Sequence, residues 1–126
     1  MIIGIGTDFV RMDSIPDASL RPGDPFREKT YTRKEQQQAD SRPVPRDYYC
    51  TRFAGKEAVF KTLGADPEHA RLNEIEILDD SFGAPHVTIH GTLKQHADSR
   101  GIATTHITLT YDSGYAIAFA VSEGEV

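Results

Sequence analysis

Arg52-Phe53-Ala54-Gly55-Lys56-Glu57-Ala58-Val59-Phe60-Lys61-Thr62-Leu63-Gly64 reads as the closing turns of a long helix. Gly64 stands where a left-handed C-terminal residue belongs, and Asp47 is a plausible N-cap, so the spacing predicts a helix over roughly 48–63. Cys50, Phe53, Ala54, Ala58 and Phe60 recur at helical intervals and form an apolar stripe. Glu57 falls within that stripe. A carboxylate there is costly unless it is paired or bound to a metal. Lys61, four residues on, shares its face, so the plain alternative is a surface Glu57–Lys61 ion pair.

Working outward, the N-terminal run Ile2, Ile3, Ile5, Phe9 and Val10, punctuated by Gly4 and Gly6, predicts a strand buried on both faces near its start. Asp8 lies near its end. If strand and helix pack together, Asp8 and Glu57 converge, and two bare carboxylates would repel. A hard dication relieves this, because magnesium takes oxygen ligands from one or two carboxylates and from substrate phosphates. Lys61 would then meet a phosphate, which completes the parts of a phosphoryl-transfer site. The plain reading of Asp8 is a strand-end residue facing water.

Between them, residues 13–25 carry Pro16, Pro22, Gly23 and Pro25 and predict a loop or broken helix. Thr32 with Glu35 forms a capping box ahead of a short helix reaching about Ala39, and Pro43 and Pro45 break the chain. Downstream, alternation predicts strands over 72–78 and 86–90 with a turn at 79–85. Thr92 is the expected cap of a helix ending near Gly101. A last hairpin, 106–111 and 115–121, turns through Asp112, Ser113 and Gly114. Hairpins outnumber βαβ units, so the expected fold is α+β with a mainly antiparallel sheet packed against the long helix, in one domain over residues 1–126.

Composition narrows the function. The net charge of −5 argues against nucleic-acid binding, and no apolar run spans a bilayer. The start of the chain lacks the features of a signal peptide. The single cysteine, Cys50, permits no internal disulfide, reads as a small buried hydrophobe, and suits the cytoplasm. Charge is uneven: residues 21–61 hold ten Lys/Arg against six Asp/Glu, a local +4, which leaves −9 elsewhere. A basic segment of this kind steers acidic partners, although scattered surface ion pairs would give the same count. No His/Cys cluster has zinc spacing, and Gly4-Ile5-Gly6-Thr7-Asp8 lacks the third glycine and following helix of a dinucleotide fingerprint.

Gly4-Ile5-Gly6-Thr7-Asp8 followed by the Arg52–Gly64 stretch resembles the holo-acyl-carrier-protein synthases, the short and usually trimeric class of 4′-phosphopantetheinyl transferases. Tyr31-Thr32 with Glu35, Ile75-Glu76-Ile77 with Gly83-Ala84-Pro85, and His106–Thr110 with Tyr115-Ala116 extend the resemblance over almost the whole chain. It implies a homotrimer that moves phosphopantetheine from coenzyme A to a serine of an apo acyl carrier protein and releases 3′,5′-ADP. Asp8 and Glu57 would hold Mg2+, and Lys61 would neutralise the phosphate under attack. Arg52 and Gly64 match positions near the nucleotide and its phosphates. Pro85, Thr110 and Tyr111 match positions lining the nucleotide pocket across a subunit boundary. The base would be a metal-bound water, or Asp112 acting through one. Arg11, Arg27, Lys29 and Arg33 are the expected docking residues for the acidic carrier, with Lys34, Arg42 and Arg46 adding charge.

The chain departs from the family pattern at three places. Arg11 and Ser14 stand where many members carry glutamate and arginine, and Thr110-Tyr111 stands where a Ser-His pair is common. These departures keep a second reading in play, a member that binds coenzyme A or a carrier without turnover. A third is an assembly protein sharing only the fold.

Overall fold

A computed structural model describes residues 1–125. Strand β1 (Ile2–Arg11) is followed by two short 3-10 turns and three helices: α1 (Pro25–Thr30), α2 (Arg33–Asp40) and α3 (Pro45–Leu63). Then come β2 (Ile75–Asp79), β3 (Pro85–Ile89), helix α4 (Gly91–Ser99), β4 (Ile102–Asp112) and β5 (Tyr115–Gly124). The sheets are antiparallel, a three-stranded one ordered β1-β5-β4 and a β2-β3 hairpin, so the α+β expectation holds.

Helix α3 packs against β1, β5, β4 and β2 and is the centre of the core. It was expected to bury one stripe. Instead it buries residues all round, from Tyr48 and Cys50 through Lys56 and Val59 to Leu63. It also starts earlier than predicted. Pro45 occupies the first turn, where a missing N–H costs nothing, so Asp47 lies inside the helix rather than capping it. The C-terminal expectation holds: Gly64 has φ 65°. Cys50 is buried and unpaired, as read.

The face of β1 and β5 beneath the helix is made of small residues. Gly4, Gly6, Ala116, Ala118 and Ala120 point inward, alternating with outward Ile5, Phe9, Ile117 and Phe119. A Cβ on Gly4 or Gly6 would stand 2.1 Å from the carbonyl oxygens of Thr62 and Ala58 respectively. The helix therefore lies unusually low on the sheet. The expected double burial of β1 is overturned: Ile5 and Phe9 are 63% and 61% exposed, because nothing among the described residues covers the outer face.

Other differences are local. Pro25–Thr30 is helical, with Asp24 accepting from the Phe26 N–H and Pro25 in the first turn; the proline-rich composition hid it. Leu72–Glu74 is a 3-10 turn, not strand. Thr92 does not cap α4. Glu74 does, accepting from the N–H groups of Thr92 and Leu93 and from the Thr92 hydroxyl. The Thr32–Glu35 capping box forms as predicted.

Candidate active site

Asp8 lies opposite Ala118 in the register, with its side chain on the inner face of an edge strand and largely buried. Lys61 reaches back along α3 over Gly6. Its Nζ donates to Asp8 Oδ1 at 3.2 Å and to the Thr7 carbonyl at 2.9 Å. The low seat of the helix makes this reach possible. Among the described residues Lys61 pairs with Asp8 and not with Glu57, so the surface-pair alternative does not form.

Glu57 is half-buried one turn before Lys61. Burial first, and the nearby Asp8 charge second, hold its carboxyl above the usual range, with Lys61 opposing. Asp8, Glu57 and Lys61 thus share one electrostatic neighbourhood, as the sequence predicted. Among the described residues no three His, Cys, Asp or Glu side chains converge as a metal cage. Two carboxylates with open surroundings instead suit a hard cation that keeps water and substrate oxygens in its coordination sphere. Beside Lys61 an apolar hollow of about 370 Å³ is lined by Ile5, Gly6, Thr7 and Phe119.

Three of the nucleotide-position residues, Arg52, Pro85 and Tyr111, gather elsewhere. Arg52 is buried, with its guanidinium on the Asp79 carboxylate and the Ile77 carbonyl, and it lies 3.9 Å over the Tyr48 ring. Arg42 pairs with the other Asp79 oxygen at 3.0 Å. Pro85 is the strand partner of Asp79. Exposed Tyr111 closes a hollow of about 300 Å³ with Arg42, Tyr48, Thr51 and Arg52. Thr110 points to the opposite sheet face, across from Ile117. Gly64 stays with the Asp8 end, against the Arg100 guanidinium.

The site residues therefore fall into two groups. Lys61 lies nine positions after Arg52, which puts them about 180° apart around α3. Within one chain the helix stands between the groups.

Among the expected docking residues, Lys29 and Arg33 are exposed, and Arg11 is exposed beside Asp13. Arg27 is a correction. It is buried, bound to Gln36, the Leu20 carbonyl and Asp40, so it ties α1 to α2 and is not available for docking. Sequence reading missed Asp79, the anion between two arginines. Its signal was weak, a lone acid at the end of a strand.

Residues 4–120 match the family model described as the 4′-phosphopantetheinyl transferase superfamily. The chain is 40% identical to the holo-[acyl-carrier-protein] synthase of Ruminiclostridium cellulolyticum over 119 residues, covering 93% of this chain and 89% of the relative. Among solved structures it resembles that of the Neisseria meningitidis synthase, with TM-score 0.85, 28% identity, and coverage of 98% and 99% of the two chains. It also resembles the Bacillus anthracis synthase in complex with CoA (3′,5′-ADP), with TM-score 0.78, 25% identity and 99% of each chain covered. No helix among the described residues is long and apolar enough to cross a membrane.

Proposed function

The chain belongs to the 4′-phosphopantetheinyl transferase superfamily, and from that membership we propose that it is a holo-acyl-carrier-protein synthase. It moves 4′-phosphopantetheine from coenzyme A to a serine of an apo acyl carrier protein, acting as one domain over residues 1–126. The observation that carries the reading is the Asp8–Lys61 contact beside Glu57, at the motif positions the sequence singled out.

Asp8 and Glu57 would hold Mg2+, which would supply positive charge against the diphosphate and so lower the barrier to attack. Lys61 is half-exposed and bound by one strand carbonyl and one carboxylate, so its ammonium is free to turn to the phosphate under attack. The serine oxygen forms a bond to the β-phosphorus, the bridging P–O bond breaks, and 3′,5′-ADP leaves with the electron pair. The serine proton would pass to water, or through a water to Asp112, the exposed last residue of β4.

A homotrimer accompanies this reading. The outward apolar face of β1 and β5 supports association. The placement of the Arg52–Tyr111 corner on the far side of α3 supports a substrate that spans two subunits, with Arg52, Pro85, Thr110 and Tyr111 from one and Asp8, Glu57, Lys61 and Gly64 from the next. Lys29, Arg33 and Arg11 remain the docking cations for the acidic carrier. A cytoplasmic location fits the buried, unpaired Cys50.

The test is direct. Protein, coenzyme A, magnesium and apo carrier are incubated and the carrier is weighed by mass spectrometry, with Glu57→Ala in parallel. A gain of one phosphopantetheine with the wild type alone is expected. No gain with any of several apo carriers, from folded protein, would overturn the proposal.

A further inference from the structure

Lys56 precedes Glu57 in sequence yet points away from it. Its ammonium and the Glu35 carboxylate are both fully buried. Lys56 Nζ donates to Glu35 Oε1 at 2.7 Å, to the Leu72 carbonyl at 2.9 Å, and to the Ile75 carbonyl. Glu35 Oε1 also accepts from the Thr32 N–H at 2.9 Å, and Oε2 from the Ile77 N–H at 2.8 Å. One ion pair thus ties α3 to the first turn of α2, to the loop before β2 and to β2 itself.

Such a pair is a poor choice if stability is all that is required. Apolar side chains of equal volume often hold a core as well or better. What the pair adds is direction. Three hydrogen bonds from Lys56, one of them to a carboxylate itself held by the Thr32 and Ile77 N–H groups, restrict the rotation and axial position of α3 relative to β2. The opposite side of the helix is keyed more lightly, by the buried Thr62–Ser122 hydroxyl pair near its C-terminal end and by the exposed Lys61 contacts that belong to the site itself. Gly4, Gly6, Ala116, Ala118 and Ala120 present a smooth surface without side-chain ridges to lock the turn of a helix lying on it. Yet the site needs that rotation set. A group about 6 Å from the axis moves about 2 Å when the helix turns by about 20°. Productive geometry tolerates about 0.5 Å.

We infer that the buried Lys56–Glu35 pair is a positioning device, setting the rotation of α3 that aims Glu57 and Lys61 at Asp8. The inference rests on the transferase reading above. Neither residue touches substrate. They act through the helix.

The test uses Lys56→Met in the full chain, with Mn2+ as a magnetic stand-in for the hard cation. Mn2+ binding in the presence of coenzyme A is followed by electron paramagnetic resonance, and steady-state transfer is measured at a temperature where the variant is folded by circular dichroism. Mn2+ affinity is expected to fall about 10-fold and kcat about 10- to 100-fold, with KM for coenzyme A changed less than about 3-fold. Leu93→Ala, which removes core packing on α4, serves as a control that loses stability but keeps Mn2+ affinity. Folded Lys56→Met with wild-type Mn2+ affinity and kcat overturns the inference. An equal loss of affinity in Leu93→Ala does so too. If Lys56→Met does not fold, Glu35→Gln is measured in its place under the same criteria, and failure of both to fold makes the pair a folding element and sinks the positioning role. A wild type that transfers nothing overturns the transferase reading instead, whatever the variants do.

Discussion

Gly6 lies so close to Ala58 that a Cβ on the glycine would stand 2.1 Å from the Ala58 carbonyl oxygen. The contact is with helix backbone, which cannot swing aside as a side chain can. Gly6→Ala must lift α3 off the sheet, moving Lys61 from Asp8. Overpacking of this kind costs about 1–3 kcal/mol. Urea unfolding is expected to show that loss, and transfer activity is expected to fall further than stability. A variant as stable and active as the wild type would mean the helix has more room than the structure gives it.

Glu57 gives a pH prediction. Burial and Asp8 raise its folded pKa above the ordinary 4.5. The ionised carboxylate therefore costs stability in the metal-free protein. That cost is fully present above the raised value and vanishes below the unfolded one. Glu57→Gln should raise the Tm of metal-free protein near about pH 7, by about 2 °C, and change it little near about pH 4. The same substitution should abolish transfer. In the wild type, activity should fall with decreasing pH through that raised value, and added magnesium should move this acid limb lower. Thermal scans and rate profiles at two magnesium concentrations check both statements.

Lys61 separates catalysis from stability. Its half-exposed pairing with Asp8 is worth less than about 1 kcal/mol. Lys61→Met should leave Tm almost unchanged and reduce kcat about 10²- to 10³-fold, the usual loss when one charge-stabilising donor is removed. A kcat within about 3-fold of wild type would remove Lys61 from the reaction.

Glu74 is the unexpected cap of α4. Burial alone would raise its pKa, but hydrogen bonds from the Thr92 hydroxyl and from the Leu93 and Thr92 N–H groups hold it below 4.5. Its contribution is present above the unfolded value and is lost as pH falls through the lowered folded one. Glu74→Ala should cost about 1–2 kcal/mol at neutral pH and progressively less in acid. Equal losses at both pH values, in paired urea titrations, would contradict the capping role.

The outer sheet face carries the assembly prediction. Ile5, Phe9 and Phe119 are exposed in the single chain, and Phe9 stacks on Tyr115 at 4.6 Å. Phe119→Asp should leave a folded monomer by sedimentation and remove transfer activity. A monomeric wild type that still transfers would detach the site from assembly.

The parts of the molecule legible in the sequence are those set by local chemistry. The capping box at Thr32 and Glu35, the left-handed Gly64 and the alternation of the last hairpin each depend on near neighbours in the chain, and each appears where expected. The α1 helix was hidden because Pro25 was read as a breaker when it serves as a first-turn residue. The cap of α4 was assigned to Thr92 because the true cap, Glu74, arrives from 18 residues away.

For the site, spacing alone placed Glu57 and Lys61 on one helix face and marked Asp8 as out of keeping with its strand. Contact between strand and helix across 53 residues was a matter for the tertiary structure, because it depends on how low α3 lies on Gly4 and Gly6. The same holds for Arg27, basic in composition but consumed by Asp40, and for Asp79, ordinary in sequence but shared by two arginines. Most of the elements, their order along the chain and the residue types available for chemistry follow from the sequence, since propensity, capping and hydrophobic period are local. Which charges are spent inside the fold and which face a substrate was decided only by tertiary packing, because burial and pairing depend on partners that the chain brings together from far apart.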